Sequence, residues 1–498
     1  MNSPDLIPAT APAPKRTWVG AAAFLGLLLG AVAVFFLVRH VGEGLTAPAP
    51  AASITSPKAA EVNVVLHVVA TLVAVIALGH VLGAALRYVG QPPVIGEVLA
   101  GILLGPSLLG AISPEAMNAL IPSAAVDPTG QVAAALKAVA QLGVILYMFL
   151  VGLDLNANHL KQKARTAVAV SSTSIVVSFV CGAALALGLY PTLAHAGVPF
   201  TTFALFMGVS MAISAFPVLA RILTDRGMAK TELGVVALGC AAADNVTAWC
   251  LLALVVGVAE AKAGAAVLVL AGAAAFIAAM VLVVKPVVAR VSRRCDATVG
   301  PLPPVVISGT FLGLLSAALA TEAIGIHAIF GAFLFGVLIP HDGRIAKEFT
   351  AKLKDPATVL LLPAFFAFTG MRTQFGLLSG WQDWAWCAAI IVVASAGKFG
   401  GALVAAKLAG QSWRSSAALG ALLNTRGLME LVILNIGLDM GVISPTLFAM
   451  MVMMALVTTA ATVPLLNLLV REPATGTTPP AGPGTPSTAR ERPQVAPS

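Results

Sequence analysis

The chain has 498 residues, of which 59% are hydrophobic and 10% charged. Soluble domains carry about 25% charged residues, so a water-soluble globular protein is excluded and an all-α polytopic membrane protein is expected. The net charge of +8 belongs to membrane-flanking loops, not to a nucleic-acid surface.

The first apolar run covers 18–38, preceded by Lys15 and Arg16. It reads as one N-terminal hydrophobic helix; a cleaved signal peptide is the alternative, since "TAPAPAAS" near Thr46 has small residues suited to cleavage. An apolar region of about 20 residues exceeds the usual 7–15 of a signal peptide, which favours a retained helix. Residues 1–60, this segment and a polar Ala/Pro-rich linker, form an N-terminal unit.

Thirteen spans of about 20 residues each follow within 61–470. Their approximate limits are 64–86, 93–111, 136–157, 166–190, 199–220, 233–258, 263–284, 303–320, 323–340, 357–377, 384–406, 415–437 and 444–470. The stretch 471–498 is rich in Pro, Thr, Gly and Ala and is expected to be a disordered tail. Basic residues fall in every second loop. Arg87 follows the first span, and Lys161, Lys163 and Arg165 the third. Arg221, Arg226 and Lys230 follow the fifth, and Lys285, Arg290, Arg293 and Arg294 the seventh. Arg344, Lys347, Lys352 and Lys354 follow the ninth, and Lys407 and Arg414 the eleventh. The positive-inside rule puts these loops, and with them the C-terminus, in the cytoplasm.

The chain resembles itself at an offset of seven spans. "VIGEVLAGILLG" (94–105) matches "GIHAIFGAFLFG" (325–336) in its Ile, Leu and final Gly. An odd offset makes the two helices antiparallel, which is the pattern of an inverted repeat. At the same offset, "SMAISAFPVLARIL" (210–223) holds Ser210, Ser214 and Pro217, and "LLNTRGLMEL" (422–431) holds Asn424, Thr425, Arg426, Gly427 and Glu430. Proline removes an amide donor and frees a carbonyl, so both spans read as broken helices, the pointer to a transport site.

A charge at the centre of a span costs about 2.5–3.5 kcal/mol on insertion scales and is functional or paired when it persists. Asp244, in "AADNVTAW" (242–249), lies deep in its span, and Lys398, in "SAGKFGGA" (395–402), lies mid-span among Gly and Ala that admit a close neighbour. Asn245, Ser214 and Asn424 offer neutral oxygens to a hard cation. Thr247 is a further candidate, or bonds back to its own helix. Arg426 and Glu430, four residues apart, read as a local ion pair. Pro217 and Gly427 mark the helix breaks. Glu97 and Asp154 fall near membrane interfaces, and His327 reads as a packing histidine. The five cysteines form no disulfide framework or metal motif. No Walker A or dinucleotide motif is present, so no cofactor is expected, and no paired-Asp, Ser-His or zinc-ligand signature points to an enzyme. A buried carboxylate that binds either a proton or a monovalent cation couples the two fluxes by competition.

Six motifs carry a resemblance: "QPPVIGEVLAGILLGPSLLG" (91–110), "YMFLVGLDL" (147–155), "ISAFPVLARIL" (213–223), "ADNVTAW" (243–249), "TEAIGIHAIFGAF" (321–333) and "NTRGLMELVILNIG" (424–437). Through them the chain resembles the monovalent cation:proton antiporter-2 family, a sodium/hydrogen exchanger-type membrane domain, in its plant cation/proton exchanger and bacterial Kef-like branches. The resemblance implies a 13-helix antiporter core with two inverted repeats and crossed broken helices. It also implies a homodimer in the cell inner (plasma) membrane, elevator-type alternating access, and exchange of K⁺ or Na⁺ for H⁺. It implies an Asp244–Lys398 pair as well. The chain departs from the family where Asp-Asp or Asn-Asp is usual: here the order is Asp244-Asn245. Three readings follow. Asp244 is the titrating ligand with Asn245 a neutral donor; or cations move without obligatory proton exchange, as in a channel; or the scaffold serves in sensing. The nucleotide-binding domain of Kef-type systems is not expected in the stretch after 470.

Overall fold

The computed structural model describes residues 17–45, 63–122, 127, 130–154, 157–229, 231–260, 265–298, 300–325 and 327–470. The expected tail 471–498, most of the linker before Asn63 and the stretch around Thr46–Ser53 lie outside these residues. The described residues are helical, with one isolated β-bridge between Ala194 and Ile443.

In chain order the helices are α1 (Thr17–Gly42), α2 (Val64–Tyr88), α3 (Pro93–Leu104), the short α4 (Leu109–Ile112) and α5 (Pro114–Leu120), α6 (Gln131–Asp154), α7 (Ala157–Leu193), α8 (Phe200–Ala212) and α9 (Phe216–Asp225). Then come α10 (Glu232–Glu260), α11 (Ala265–Ala279), α12 (Lys285–Asp296), α13 (Pro304–Ile324), α14 (Ala328–Leu338), α15 (Arg344–Asp355) and α16 (Leu362–Arg372). The last are α17 (Trp381–Ser395), α18 (Gly401–Leu408), α19 (Trp413–Leu423), α20 (Leu428–Asp439) and α21 (Pro445–Leu469). Three π-helical stretches, Met280–Val284, Pro356–Leu361 and Ala396–Gly400, join α11 to α12, α15 to α16 and α17 to α18.

Each expected span meets one or two of these helices. The number of crossings is a separate matter. Among the described residues eleven helices are long and apolar enough to cross a bilayer, or twelve if the bent pair α19 and α20 is one span. The expected count is higher for two physical reasons. Helix α14 has only 11 residues, and the span expected at 357–377 begins as a π-stretch continuing the charged α15.

The helices sort into two bundles. In the first, α2 packs on α3, α3 on α16, α16 on α6, α6 on α14 and α14 on α13. These contacts are backbone-close where glycine allows it. A Cβ on Gly370 of α16 would fall 2.0 Å from the carbonyl carbon of Gly101 in α3. In the second bundle α7 packs on α8, α10 and α18, and α19 packs on α10, α18 and α21. Helix α1 lies against α7 and α8, with the Phe35 ring 5.9 Å from that of Phe179. Few contacts cross between bundles; α3 touches α21, and Gln91 Nε2 donates to the Ala460 carbonyl at 3.0 Å.

Both expected helix breaks lie in the second bundle. Between α8 and α9 the chain is extended at Ile213, and α19 and α20 meet at 44°. The breaks touch: Ala215 N–H donates to the Thr425 carbonyl at 2.9 Å and Ser214 Oγ lies 2.7 Å from the Leu423 carbonyl. Pro217 is not the break itself. It sits in the first turn of α9, where its missing N–H costs nothing. Gly427 has φ 166°, ordinary extended backbone, and its role is space: a Cβ there would meet Val218 at 2.8 Å.

Candidate functional site

A helix end leaves its last carbonyls without intrahelical donors and carries a partial negative charge. At the end of α8 two cations fill this need, Arg426 from the break between α19 and α20 and Lys398 from the π-stretch before α18. Arg426 Nη1 donates to the Ser210 carbonyl at 3.0 Å and to that of Ile213 at 2.5 Å, and Nη2 donates to Met211 at 2.5 Å. Lys398 Nζ donates to Ala212 at 2.6 Å. Ile213 is extended and lies between α8 and α9, so its carbonyl has no intrahelical donor. Arg426 is itself fixed: its backbone N–H donates to Thr459 Oγ1 at 3.1 Å, and Thr459 donates back to the Arg426 carbonyl at 2.7 Å. Glu430, in the first turn of α20 where a helix N-terminus favours an anion, pairs with Arg426 Nη1 at 3.2 Å.

Asp244 sits on α10 against this crossing, fully buried. Its Oδ2 accepts from Lys398 Nζ and from Ser214 Oγ, both at 2.7 Å, and its Oδ1 accepts from Ser171 Oγ at 2.5 Å. Lys398 is also fully buried. It lies within the π-stretch Ala396–Gly400, a distortion common at functional sites. The flanking glycines let this stretch lie on α7: a Cβ on Gly397 would be 3.1 Å from Ser178 Cα, and one on Gly401 3.1 Å from Ser174 Cα. Ser214 has one proton and two acceptors at 2.7 Å, Asp244 Oδ2 and the Leu423 carbonyl. It therefore donates to one at a time.

The two amides differ from this saturated set. Asn245 is fully buried, and neither its oxygen nor its nitrogen has a hydrogen-bond partner. Asn424 reaches Ser395 Oγ with its nitrogen at 3.4 Å, while its Oδ1 is buried without a partner. Buried polar atoms of this kind cost free energy unless something occupies them. Trp249 Nε1, one turn beyond Asn245, is in the same condition.

The crossing thus brings together Asp244, Lys398 and Ser214, with Arg426 and Glu430 beside them. Thr247 is exposed and does not join. His327 lies away from this cluster, at the start of α14, with φ 45°. Ser171 is a contact that the charge-led reading passed over. The signal was present: Ser171, Ser174 and Ser178 recur at helical spacing and are all buried.

Comparison with known proteins agrees with this architecture. A model of the family "Sodium/hydrogen exchanger, transmembrane" matches residues 68–470. The Na⁺/H⁺ antiporter NhaS4 of Synechocystis is 39% identical over 416 residues, covering 83% of this chain and 100% of that protein. Cation/H⁺ antiporter 17 of Arabidopsis thaliana is 35% identical, covering 85% of this chain and 51% of the plant protein. The K⁺/H⁺ antiporter 1 of Saccharomyces cerevisiae is 32% identical, with 76% and 42% covered; the chain spans about half the length, or less, of these two eukaryotic relatives. The fold matches the sodium proton antiporter MjNhaP1 from Methanocaldococcus jannaschii with a TM-score of 0.58 at 15% identity, covering 82% of this chain and 99% of that one. On the extent of the family match and the full-length similarity to NhaS4, the chain belongs to the transmembrane sodium/hydrogen exchanger family.

Proposed function

We propose that this multi-pass membrane protein is a secondary active transporter, not an enzyme, that exchanges a monovalent cation, K⁺ or Na⁺, for protons. The observation that carries the reading is Asp244: a carboxylate with no exposure, held by Lys398, Ser171 and Ser214 at the junction of two broken helices. The names of the relatives support the same exchange.

The chemistry follows from the bonds. A cation approaching Asp244 competes with the Lys398 ammonium for Oδ2. The unpartnered oxygens of Asn245 and Asn424 are the hard ligands that a desolvated cation gains, and Ser214 Oγ becomes available once its proton turns to the Leu423 carbonyl. As the cation binds, Lys398 gives up a proton and is left as a neutral amine; when the cation leaves, a proton returns to Lys398 and restores the Asp244–Lys398 pair. One site serves both ligands in turn, so neither crosses without the other. The second bundle carries the site and slides against the first, which is the elevator form of alternating access. A homodimer in the cell inner membrane, a thirteen-helix core built from two inverted units, and a cytoplasmic C-terminus complete the reading.

The test is purified protein in liposomes that enclose a pH-sensitive dye under a preset proton gradient. Addition of K⁺ or Na⁺ is expected to collapse the gradient with the wild-type chain and not with Asp244→Asn. Exchange by Asp244→Asn at the wild-type rate would move the site of cation–proton competition elsewhere. Cation flux indifferent to the gradient would replace exchange by a channel-like activity.

A further inference from the structure

The seam between the two bundles is unlike at its two ends. Where α6 begins and α16 and α20 finish, one carboxylate takes two cations from the other bundle. Asp439, the last residue of α20, accepts Lys137 Nζ of α6 at 2.8 Å through Oδ2 and Arg372 Nη1 of α16 at 2.6 Å through Oδ1. One turn back, Asn435 adds two bonds: its Oδ1 accepts Arg372 Nη1 at 3.2 Å and its Nδ2 donates to Thr369 Oγ1 at 2.9 Å. Arg372 also lies over the Phe368 ring, 5.1 Å from its centre. Beneath this clamp the seam narrows to a void of 30 Å³ between Ala140, Val144 and Phe365 on one side and Val432 and Ile436 on the other. That is room for about one water. Toward the basic loops, by contrast, a polar cavity of 170 Å³ opens between α2, α3 and α16 of the first bundle, lined by His80, Arg87, Glu97 and Thr358, with Arg221 of α9 reaching its edge.

We propose that Asp439, held by Lys137 and Arg372, is the gate of the transport cycle on the face away from the basic loops. The proposal deepens the antiport reading and rests on it. Helix α20 starts at the crossing, with Gly427 as its first cap, and runs unbroken to Asp439. A helix of 12 residues is a rod of about 18 Å, so any shift of the crossing against the first bundle is delivered to the clamp. The clamp closes the seam in the present arrangement and has to release before the Asp244 site can reach that face. Its side chains are 22–38% exposed, as a gate requires. A half-solvated pair is weak enough to open in every cycle, and two directional bonds to one carboxylate still fix its register.

The test joins the two sides reversibly. Lys137→Cys and Asp439→Cys are introduced together into a chain whose own five cysteines have been replaced. The protein is reconstituted, its exchange rate measured, and a short bis-methanethiosulfonate linker added. Each protein is referred to its own rate before linking, and the linkage is verified by peptide mass. Exchange is expected to fall at least tenfold in the linked double variant, to return on reduction, and to persist in the two single variants treated alike. A linked protein that exchanges at its unlinked rate overturns the gate, and so does failure of the two cysteines to link at all. A second readout avoids the linker: Asp439→Asn is expected to raise at least tenfold the rate at which a membrane-impermeant thiol reagent labels Val432→Cys from that face, and an unchanged rate overturns the gate. Absence of exchange in the wild-type chain would instead refute the antiport reading, before any linker is used.

Discussion

Lys398→Met tests whether Asp244 and Lys398 act as one unit. Both are fully buried and 2.7 Å apart. The substitution leaves Asp244 with hydroxyl donors from Ser171 and Ser214 and no counter-charge. Breaking a buried pair from one side costs about 3–5 kcal/mol. Asp244→Asn leaves the ammonium facing an amide and the Ala212 carbonyl, at a cost in the same range. The double variant removes both charges. Its main penalty is an amide N–H without an acceptor, about 1–3 kcal/mol, against a combined loss of about 6–10 kcal/mol if the two sites were independent. Equilibrium unfolding in mixed micelles, read by tryptophan fluorescence, measures the four corners of the cycle. Saturating K⁺ or Na⁺ should restore part of the loss in Lys398→Met, because the cation takes the vacated place; at 100 times its dissociation constant a ligand adds about 2.7 kcal/mol. Choline should not. Additive losses in the double variant, or a Lys398→Met chain as stable as wild type in choline, would refute the pairing argument.

Three further outcomes are expected. Asn245→Ala removes two buried atoms without partners, so it should unfold no earlier than wild type in the absence of cations while raising the cation concentration for half-maximal exchange about tenfold, a change of about 1.4 kcal/mol; an unchanged concentration would remove Asn245 from the ligand set. Arg426→Lys keeps the charge but loses the planar fork that reaches three carbonyls of the first broken span, and should lower the yield of folded protein in size-exclusion chromatography far more than the exposed Arg293→Lys. Gly370→Ala places a Cβ 2.0 Å from the Gly101 carbonyl carbon, whereas Gly309→Ala has open space within 4 Å. The first should lower the melting temperature, and the second should raise it slightly, by the roughly 0.5–1 kcal/mol that a helical alanine gains over glycine.

The fold was legible because lipid demands long apolar runs and the loops carry their sidedness as charge. The broken helices were legible from Pro217 on one side and the polar run Asn424–Arg426 on the other. Their meeting was not. That Arg426 caps the end of α8, more than 200 residues earlier in the chain, depends on tertiary placement that no local pattern encodes. Ser171 was hidden for a different reason: a serine in a span usually bonds back to its own helix, and only the partner on α10 reveals the other use. Crossing number was the weakest expectation, because π-stretches let Pro356–Leu361 join a charged helix to an apolar one with no loop between.

Charge balance gives the site its logic. Counted as ionised, Asp244 and Glu430 contribute two negative charges and Lys398 and Arg426 two positive, all four buried at one crossing. The empty site is neutral. A cation that entered with nothing leaving would place an uncompensated positive charge in a dry interior, where the cost is several kcal/mol even after relaxation. Loss of one proton from the cluster removes that cost. On the proposed reading, exchange is the form of binding that four ionised side chains permit, and Asn245 as a ligand would add an oxygen without adding a charge. An aspartate at 245 would shift the sum by one and let a second proton travel. On the proposed antiport reading, the Asp244-Asn245 order bears on how many protons accompany each cation.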